Sequence, residues 1–78
     1  MRDRIPREEI EKWLSRLKKE LKTVKANGKK GKEFLDNINA YVIDCEHFMK
    51  NGDNVLSFEA ITWAWSYYTI GKDIGLLK

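Results

Sequence analysis

The sequence predicts an all-α fold, an antiparallel three-helix bundle that forms one domain over residues 1–78. Apolar residues recur at intervals of three and four in three separate stretches, which is the spacing of one face of an α-helix. Two glycine-containing turns separate these stretches and allow the chain to reverse its direction. A chain of 78 residues has room for one small hydrophobic core and not for two.

The first helix is predicted at about residues 6–25. Its apolar stripe consists of Ile10, Trp13, Leu14, Leu17, Leu21 and Val24. Pro6 suits the first turn, because an N–H group at that position has no partner within a helix. Residues 26–31 contain two glycines, which favour left-handed backbone conformations, so this segment is predicted to be a turn.

The second helix is predicted at about residues 32–50. Its broad apolar face consists of Phe34, Leu35, Ile38, Tyr41, Val42, Cys45, Phe48 and Met49. Gly52 is placed to close this helix in a left-handed conformation, and Asp53 is placed to cap the next one. So short a connection makes the second and third helices antiparallel neighbours.

The third helix is predicted at about residues 54–72 and is the most apolar of the three. A narrow polar stripe runs along it, formed by Glu59, Thr62, Ser66, Thr69 and Asp73. The opposite side is a row rich in small residues, formed by Ser57, Ala60, Ala64, Tyr67, Tyr68 and Gly71. This arrangement is typical of the central helix of a bundle, covered on each flank by a different partner. The tail that follows, with Gly75 closing the helix, is expected to cap one end of the core.

The composition indicates a soluble protein of the cytoplasm. Apolar residues make up 42% and charged residues 35% of the chain, which is a globular composition. The sequence lacks an apolar run long enough to span a membrane, and its start lacks the apolar segment of a signal peptide. With one cysteine, an internal disulfide is excluded.

The residues most suggestive of catalysis or metal binding are Asp44, Cys45 and His47. Cys45 belongs to the apolar stripe, whereas His47 lies about 200° further round the same helix, so one ion cannot contact both. A nucleophilic cysteine also needs a base within reach. We therefore expect no enzyme, and neither a metal nor a cofactor.

The leading hypothesis is a protein-interaction module that binds a protein partner or forms a homo-oligomer. The candidate interface consists of large apolar residues on the flanks of the third helix, Phe58, Trp63, Trp65 and Ile70. Exposed aromatic residues are frequent at the centres of protein interfaces. The alternative is that these side chains fill the core beside the alanines.

A second hypothesis is weak, non-specific binding of RNA or DNA through the lysine-rich segment 16–32. Residues 1–32 hold twelve Lys and Arg against five Asp and Glu, whereas residues 33–78 hold three against seven. The candidate phosphate contacts are Lys18, Lys22, Lys25, Lys29 and Lys30. Clustered lysines bind phosphates without reading sequence, but a solvated helix face explains the same pattern and is the commoner case.

The C-terminal half also carries a recognisable set of residues. They are the segment 41–53 (Tyr-Val-Ile-Asp-Cys-Glu-His-Phe-Met-Lys-Asn-Gly-Asp), Ala60, Trp63-Ala64-Trp65, Gly71 and Gly75-Leu76-Leu77. This set resembles the archaeal family called domain of unknown function 357, over about residues 32–77. The chain departs from the family pattern at Ser66, where glycine is usual, and at Thr69, where aspartate is usual. The resemblance implies a compact helical fold in an archaeal, cytoplasmic setting, and it implies no particular reaction.

Overall fold

The chain forms three α-helices, as predicted. The computed structural model describes residues 5–78, so the first four residues, including the predicted start of the domain, lie outside the described range. The helices are α1 (Arg7–Leu21), α2 (Gly28–Lys50) and α3 (Asn54–Asp73). The predicted all-α class and three-helix bundle are confirmed.

Contacts between helices establish their directions. The beginning of α3 lies beside the beginning of α1, where the Asn54 side-chain amide donates to the Ile5 carbonyl oxygen. Further along both helices, the hydroxyl group of Tyr68 donates to a carboxylate oxygen of Glu20. α1 and α3 are therefore parallel to each other. α2, which lies between them in the sequence, runs antiparallel to both.

The core lies where α1 and α2 both meet α3. Its buried apolar side chains are Ile10, Leu14, Leu17, Ile38, Val42, Cys45, Met49, Ala60, Ile61, Ala64, Tyr68 and Leu77. The most extensive helix pair is α2 with α3, and α1 contacts α3 more than it contacts α2. Within residues 5–78, none of the helices is both long and apolar enough to cross a membrane.

The segment between α1 and α2 differs from the prediction. α1 ends at Leu21 instead of continuing to residue 25, and α2 begins at Gly28 instead of residue 32. The predicted turn at 26–31 is therefore wrong from Gly28 onward, because residues 28–31 form the first turn of α2. The reason is long-range pairing, since the residues before Gly28 are extended against the C-terminal tail.

That pairing is a short antiparallel bridge between Ala26 and Leu77. The backbones of Lys25 and Lys78 exchange two hydrogen bonds, each of 2.8 Å. The Asn27 backbone N–H donates to the Leu76 carbonyl oxygen over 2.8 Å. Because an extended backbone cannot also be helical, α1 has to stop before this bridge.

Two buried glycines let the tail lie against the helices. A Cβ atom added at Gly31 of α2 would overlap the backbone carbonyl oxygen of Leu76, and one added at Gly71 of α3 would lie 2.7 Å from Cδ1 of Leu77. Gly75 closes α3 with a φ of +80°, as predicted. Leu77 then lies in the core with 2% of its surface exposed, so the tail does cap one end of the core.

The connection between α2 and α3 has the predicted capping residues. Gly52 adopts a φ of +78°, a left-handed conformation that glycine accepts without strain. A side-chain oxygen of Asp53 accepts a hydrogen bond of 3.0 Å from the backbone N–H of Leu56. Asp53 thereby satisfies one of the free N–H groups in the first turn of α3.

The close approach at Gly31 predicts that Gly31→Ala lowers the free energy of unfolding by about 2 kcal/mol, because the added methyl group overpacks the tail. Alanine in a helix interior is otherwise about 1 kcal/mol more favourable than glycine. Urea-induced unfolding followed by circular dichroism measures this difference. Asn39→Ala, an exposed position in the middle of α2, is the control and should not destabilise the protein. A Gly31→Ala protein as stable as the wild type would show that the tail does not dock on α2.

Candidate functional site

The exposed side of α3 carries no charge over most of its length. Residues 60–71 contain no Asp, Glu, Lys or Arg, a distance of about 18 Å along a helix axis. We call the side chains that point away from the core the outer face of α3; they are Phe58, Thr62, Trp63, Ser66, Thr69 and Ile70. Trp63 is 53% and Ile70 is 50% exposed, so large apolar groups meet water here.

A groove of about 520 Å³ lies between this face and α1. Trp13 lines it from α1, and the α3 side is lined by Phe58, Ile61, Thr62, Trp65, Ser66, Thr69 and Ile70. Most of these side chains are apolar. A concave apolar surface of this kind is typical of binding sites.

Hydroxyl groups form the middle of the predicted polar stripe. The Thr62 hydroxyl donates to the Phe58 carbonyl oxygen over 2.8 Å, and the Ser66 hydroxyl donates to the Thr62 carbonyl oxygen over 2.9 Å. Each has then used its single hydrogen within the helix. The stripe is solvent-facing as predicted, but its charges stand only at the two ends, on Glu59 and Asp73.

A pair of tryptophans joins the two sides of the groove. The rings of Trp13 and Trp65 meet edge to face, with centroids 5.9 Å apart. The indole N–H of Trp65 donates to the Trp13 backbone carbonyl oxygen over 3.0 Å. The Arg16 guanidinium carbon lies 5.3 Å from the centroid of the Trp13 ring, an arrangement that allows a cation–π attraction. These contacts fix both indole rings at the groove.

Tyr68 lies on the core side of the groove and contacts one of its tryptophans. Its ring meets Trp65 edge to face at 5.8 Å, and its hydroxyl donates to Glu20 over 2.7 Å. Burial, together with the hydrogen bond to Glu20 and its negative charge, raises the pKa of Tyr68 to about 12. This bond ties α3 to the C-terminal half of α1.

A second group of rings lies on the α2 side of α3. Trp63 stacks on Tyr41 with centroids 6.4 Å apart, and Tyr67 lies 5.7 Å from Tyr41. Phe34 meets Tyr67 edge to face at 5.5 Å. Trp63 is therefore supported by α2 and still has half of its surface exposed.

The four residues predicted as an interface are thus divided. Phe58, Trp65 and Ile70 lie together in the groove, whereas Trp63 belongs to the aromatic group on the α2 side. Their role in binding stays a prediction. Sequence reasoning missed Trp13 as a groove residue, since it follows the spacing of the α1 core. The sequence feature that could have indicated this role is the position of Trp13 at the edge of the apolar stripe of α1, about one helical turn before Arg16.

The candidate phosphate contacts lie at and near the end where α1 leads into α2. Lys18 forms an ion pair with Glu46 of α2, and Lys22 lines a shallow groove along α1. Lys25 precedes the bridge to the tail, and Lys29 and Lys30 lie exposed in the first turn of α2. Their role in binding nucleic acid stays a prediction.

Cys45 is a core residue. Its Sγ lies 3.2 Å from Oγ of Ser57, which donates to the Cys45 carbonyl oxygen over 2.8 Å. Burial raises the pKa of the Cys45 thiol, and this outweighs the opposing hydrogen bond with Ser57. His47 is exposed and lies beside Asn51. Cys45 and His47 therefore lie on different sides of α2, as their spacing predicted. Over residues 5–78, no three Cys, His, Asp or Glu side chains are grouped to hold a metal ion.

Fold and surface together define a small helical-bundle protein whose third helix keeps an uncharged face in solvent. The sequence profile of a family described as "Protein of unknown function (DUF357)" matches residues 12–77. The chain belongs to this family, and the match extends the resemblance from the C-terminal half into α1.

A crystal structure of a DUF357 protein from Archaeoglobus fulgidus has the same fold. The two chains are 36% identical, with a TM-score of 0.84 over 92% of this chain and 90% of the other. No curated protein matches the sequence.

The raised pKa of Tyr68 predicts an alkaline loss of stability that Tyr68→Phe removes. The pKa is about 12 in the folded state and about 10 in the unfolded chain. The contribution to stability is thus complete below pH 10 and is lost as the pH rises towards 12. Thermal unfolding between pH 8 and 12 measures it. The difference in melting temperature between wild type and Tyr68→Phe should shrink over this range, and a constant difference would contradict the assignment.

Proposed function

We propose that this protein is a non-enzymatic protein-interaction module, which binds a second copy of itself or another protein through the outer face of α3. The observation that carries this proposal is the exposure of Trp63 and Ile70 on a helix face that has no charge for twelve residues. Large apolar side chains exposed together with uncharged polar ones, as on this face, are typical of surfaces that bind other proteins.

A standard interface would need only a small part of the chain's surface. Such an interface buries about 800 Å² on each partner, and the chain exposes 5498 Å² in total. About one seventh of the surface would therefore be covered. Tryptophan side chains held in place by neighbours, such as Trp65 and Trp63, are the residues that contribute most at such interfaces.

The chemistry of the groove supports binding over catalysis. Its hydroxyl groups on Thr62 and Ser66 already donate to the helix backbone, and its remaining lining is chiefly apolar. The thiol of Cys45 is buried among core residues and hydrogen-bonded to Ser57. A chain with a single, buried cysteine needs no oxidising compartment, and we propose that the protein acts in the cytoplasm.

Site-specific photo-crosslinking tests the proposal while the partner is still unidentified. A photo-reactive amino acid is placed at position 70 or, as the matched control, at position 43. Ile70 on the outer face and Ile43 on the back of α2 are both isoleucines with half or more of their surface exposed. In an extract of the cells that make the protein, position 70 should give a discrete adduct and position 43 should not.

The mass of the adduct identifies the kind of partner. An adduct of twice 9.2 kDa indicates a second copy, and any other discrete mass indicates a different protein. Equal labelling at both positions, or no adduct at position 70, would overturn the proposed function. Ile70→Lys should also abolish whatever association light scattering detects, whereas Ile43→Lys should leave it unchanged.

A further inference from the structure

The outer face of α3 ends in an acidic side chain on each side. Glu59 and Asp73 are both exposed and stand fourteen residues apart, which is about 21 Å or close to four helical turns. They therefore lie on nearly the same line along α3, in register with Thr62 and Ser66. The other charged residue of α3 is Lys72, whose ammonium group lies 5.9 Å from the centroid of the Tyr68 ring, on the side of α3 that faces α1.

This charge pattern disfavours a second copy as the occupant. If two α3 helices met face to face in antiparallel directions about Ser66, Glu59 of each chain would face Asp73 of the other. In parallel directions, Glu59 would face Glu59 and Asp73 would face Asp73. Like charges opposed across an interface are costly, and either arrangement opposes four carboxylates.

We propose that the outer face of α3 binds an amphipathic helix of another protein, with an apolar middle and a basic residue at each end. This inference rests on the proposed function and specifies its partner. Two basic side chains fourteen residues apart lie on one side of a helix, so a single straight helix can reach both carboxylates. The small residues Thr62 and Ser66 leave room for its backbone, and the groove takes its apolar side chains.

The attraction to a basic partner is local. Residues 33–78 hold seven acidic residues against three lysines, but residues 1–32 hold twelve Lys and Arg against five acidic residues, so the whole chain has a net charge of +3 and does not attract a cation from a distance. Glu59 and Asp73 therefore act on basic side chains that lie within about one Debye length, ~10 Å at 0.1 M salt. Arg16 lies on the α1 side of the groove, over the Trp13 ring.

Two synthetic peptides test the inference directly. Both are 18-residue helices of leucine and alanine with the same apolar face; one carries lysines fourteen residues apart, and the other carries glutamates at those two positions. Fluorescence anisotropy of the labelled peptides measures affinity. The lysine peptide should bind wild type roughly tenfold more tightly at low salt, and the preference should shrink as salt screens the charges.

Charge reversal supplies the matched control. Glu59→Lys with Asp73→Lys should reverse the preference towards the glutamate peptide. Glu8→Lys with Asp36→Lys makes the same change in net charge at exposed sites on α1 and α2, and should retain the preference for the lysine peptide. Circular dichroism verifies that both variants are folded.

The outcomes separate this inference from the proposed function. Equal binding of both peptides would overturn the inference, and so would the same reversal of preference in both double variants. A dimer of this protein that Ile70→Lys dissociates and Ile43→Lys does not would also overturn it. If position 70 still gives a discrete crosslinked adduct in those cases, the proposed function survives. If it does not, and neither peptide binds, both fail.

Discussion

The whole structure depends on how closely α1 and α2 can approach one side of α3. That side is built from small residues, with Ser57, Ala60 and Ala64 all buried, so two helices can meet α3 along one narrow row. Two large side chains, Ile61 and Tyr68, are buried beside these small residues. Trp63 and Ile70 lie outside this row, and about half of each side chain is exposed.

The C-terminal tail completes the arrangement that α3 begins. It crosses α2 at Gly31, reaches the core through Leu77, and pairs with the segment that follows α1. One short segment thus contacts α2, α3 and the extended residues that connect α1 to α2. This explains why a chain with a small core uses glycine inside two helices, where glycine is otherwise unfavourable.

Periodicity was sufficient to predict what depends on neighbouring residues. The three helices, the cap at Asp53, the left-handed Gly52 and Gly75, and the buried row of α3 follow from local spacing and residue type. The exposure of the flanks of α3 does not, because Trp63 and Ile70 are about half exposed instead of covered by a neighbouring helix as predicted. The end of α1 and the beginning of α2 did not, because they are set by the pairing of Lys25 with Lys78, more than fifty residues away in sequence. Gly31 looked like a turn residue, but it is a contact residue that needs the absence of a Cβ atom.

The candidate site was predictable only in part, because local spacing does not reveal which residues of different helices meet. The aromatic flanks of α3 follow from the spacing of its residues, but the contribution of Trp13 depends on which helix lies beside Trp65. The helical wheel also overstated the polarity of the stripe. It could not reveal that Thr62 and Ser66 donate their hydrogens to the helix backbone, or that Lys72 turns towards Tyr68.

The weak contact between α1 and α2 has a thermodynamic consequence for the groove. Because α1 is attached chiefly to α3 and the pair of α2 and α3 is the more extensive one, detaching α1 breaks fewer helix–helix contacts than separating α2 from α3. The groove exists only while α1 is docked, since Trp13 forms one of its walls. A ligand in the groove and the docking of α1 are therefore linked equilibria, and each shifts the other by the same factor.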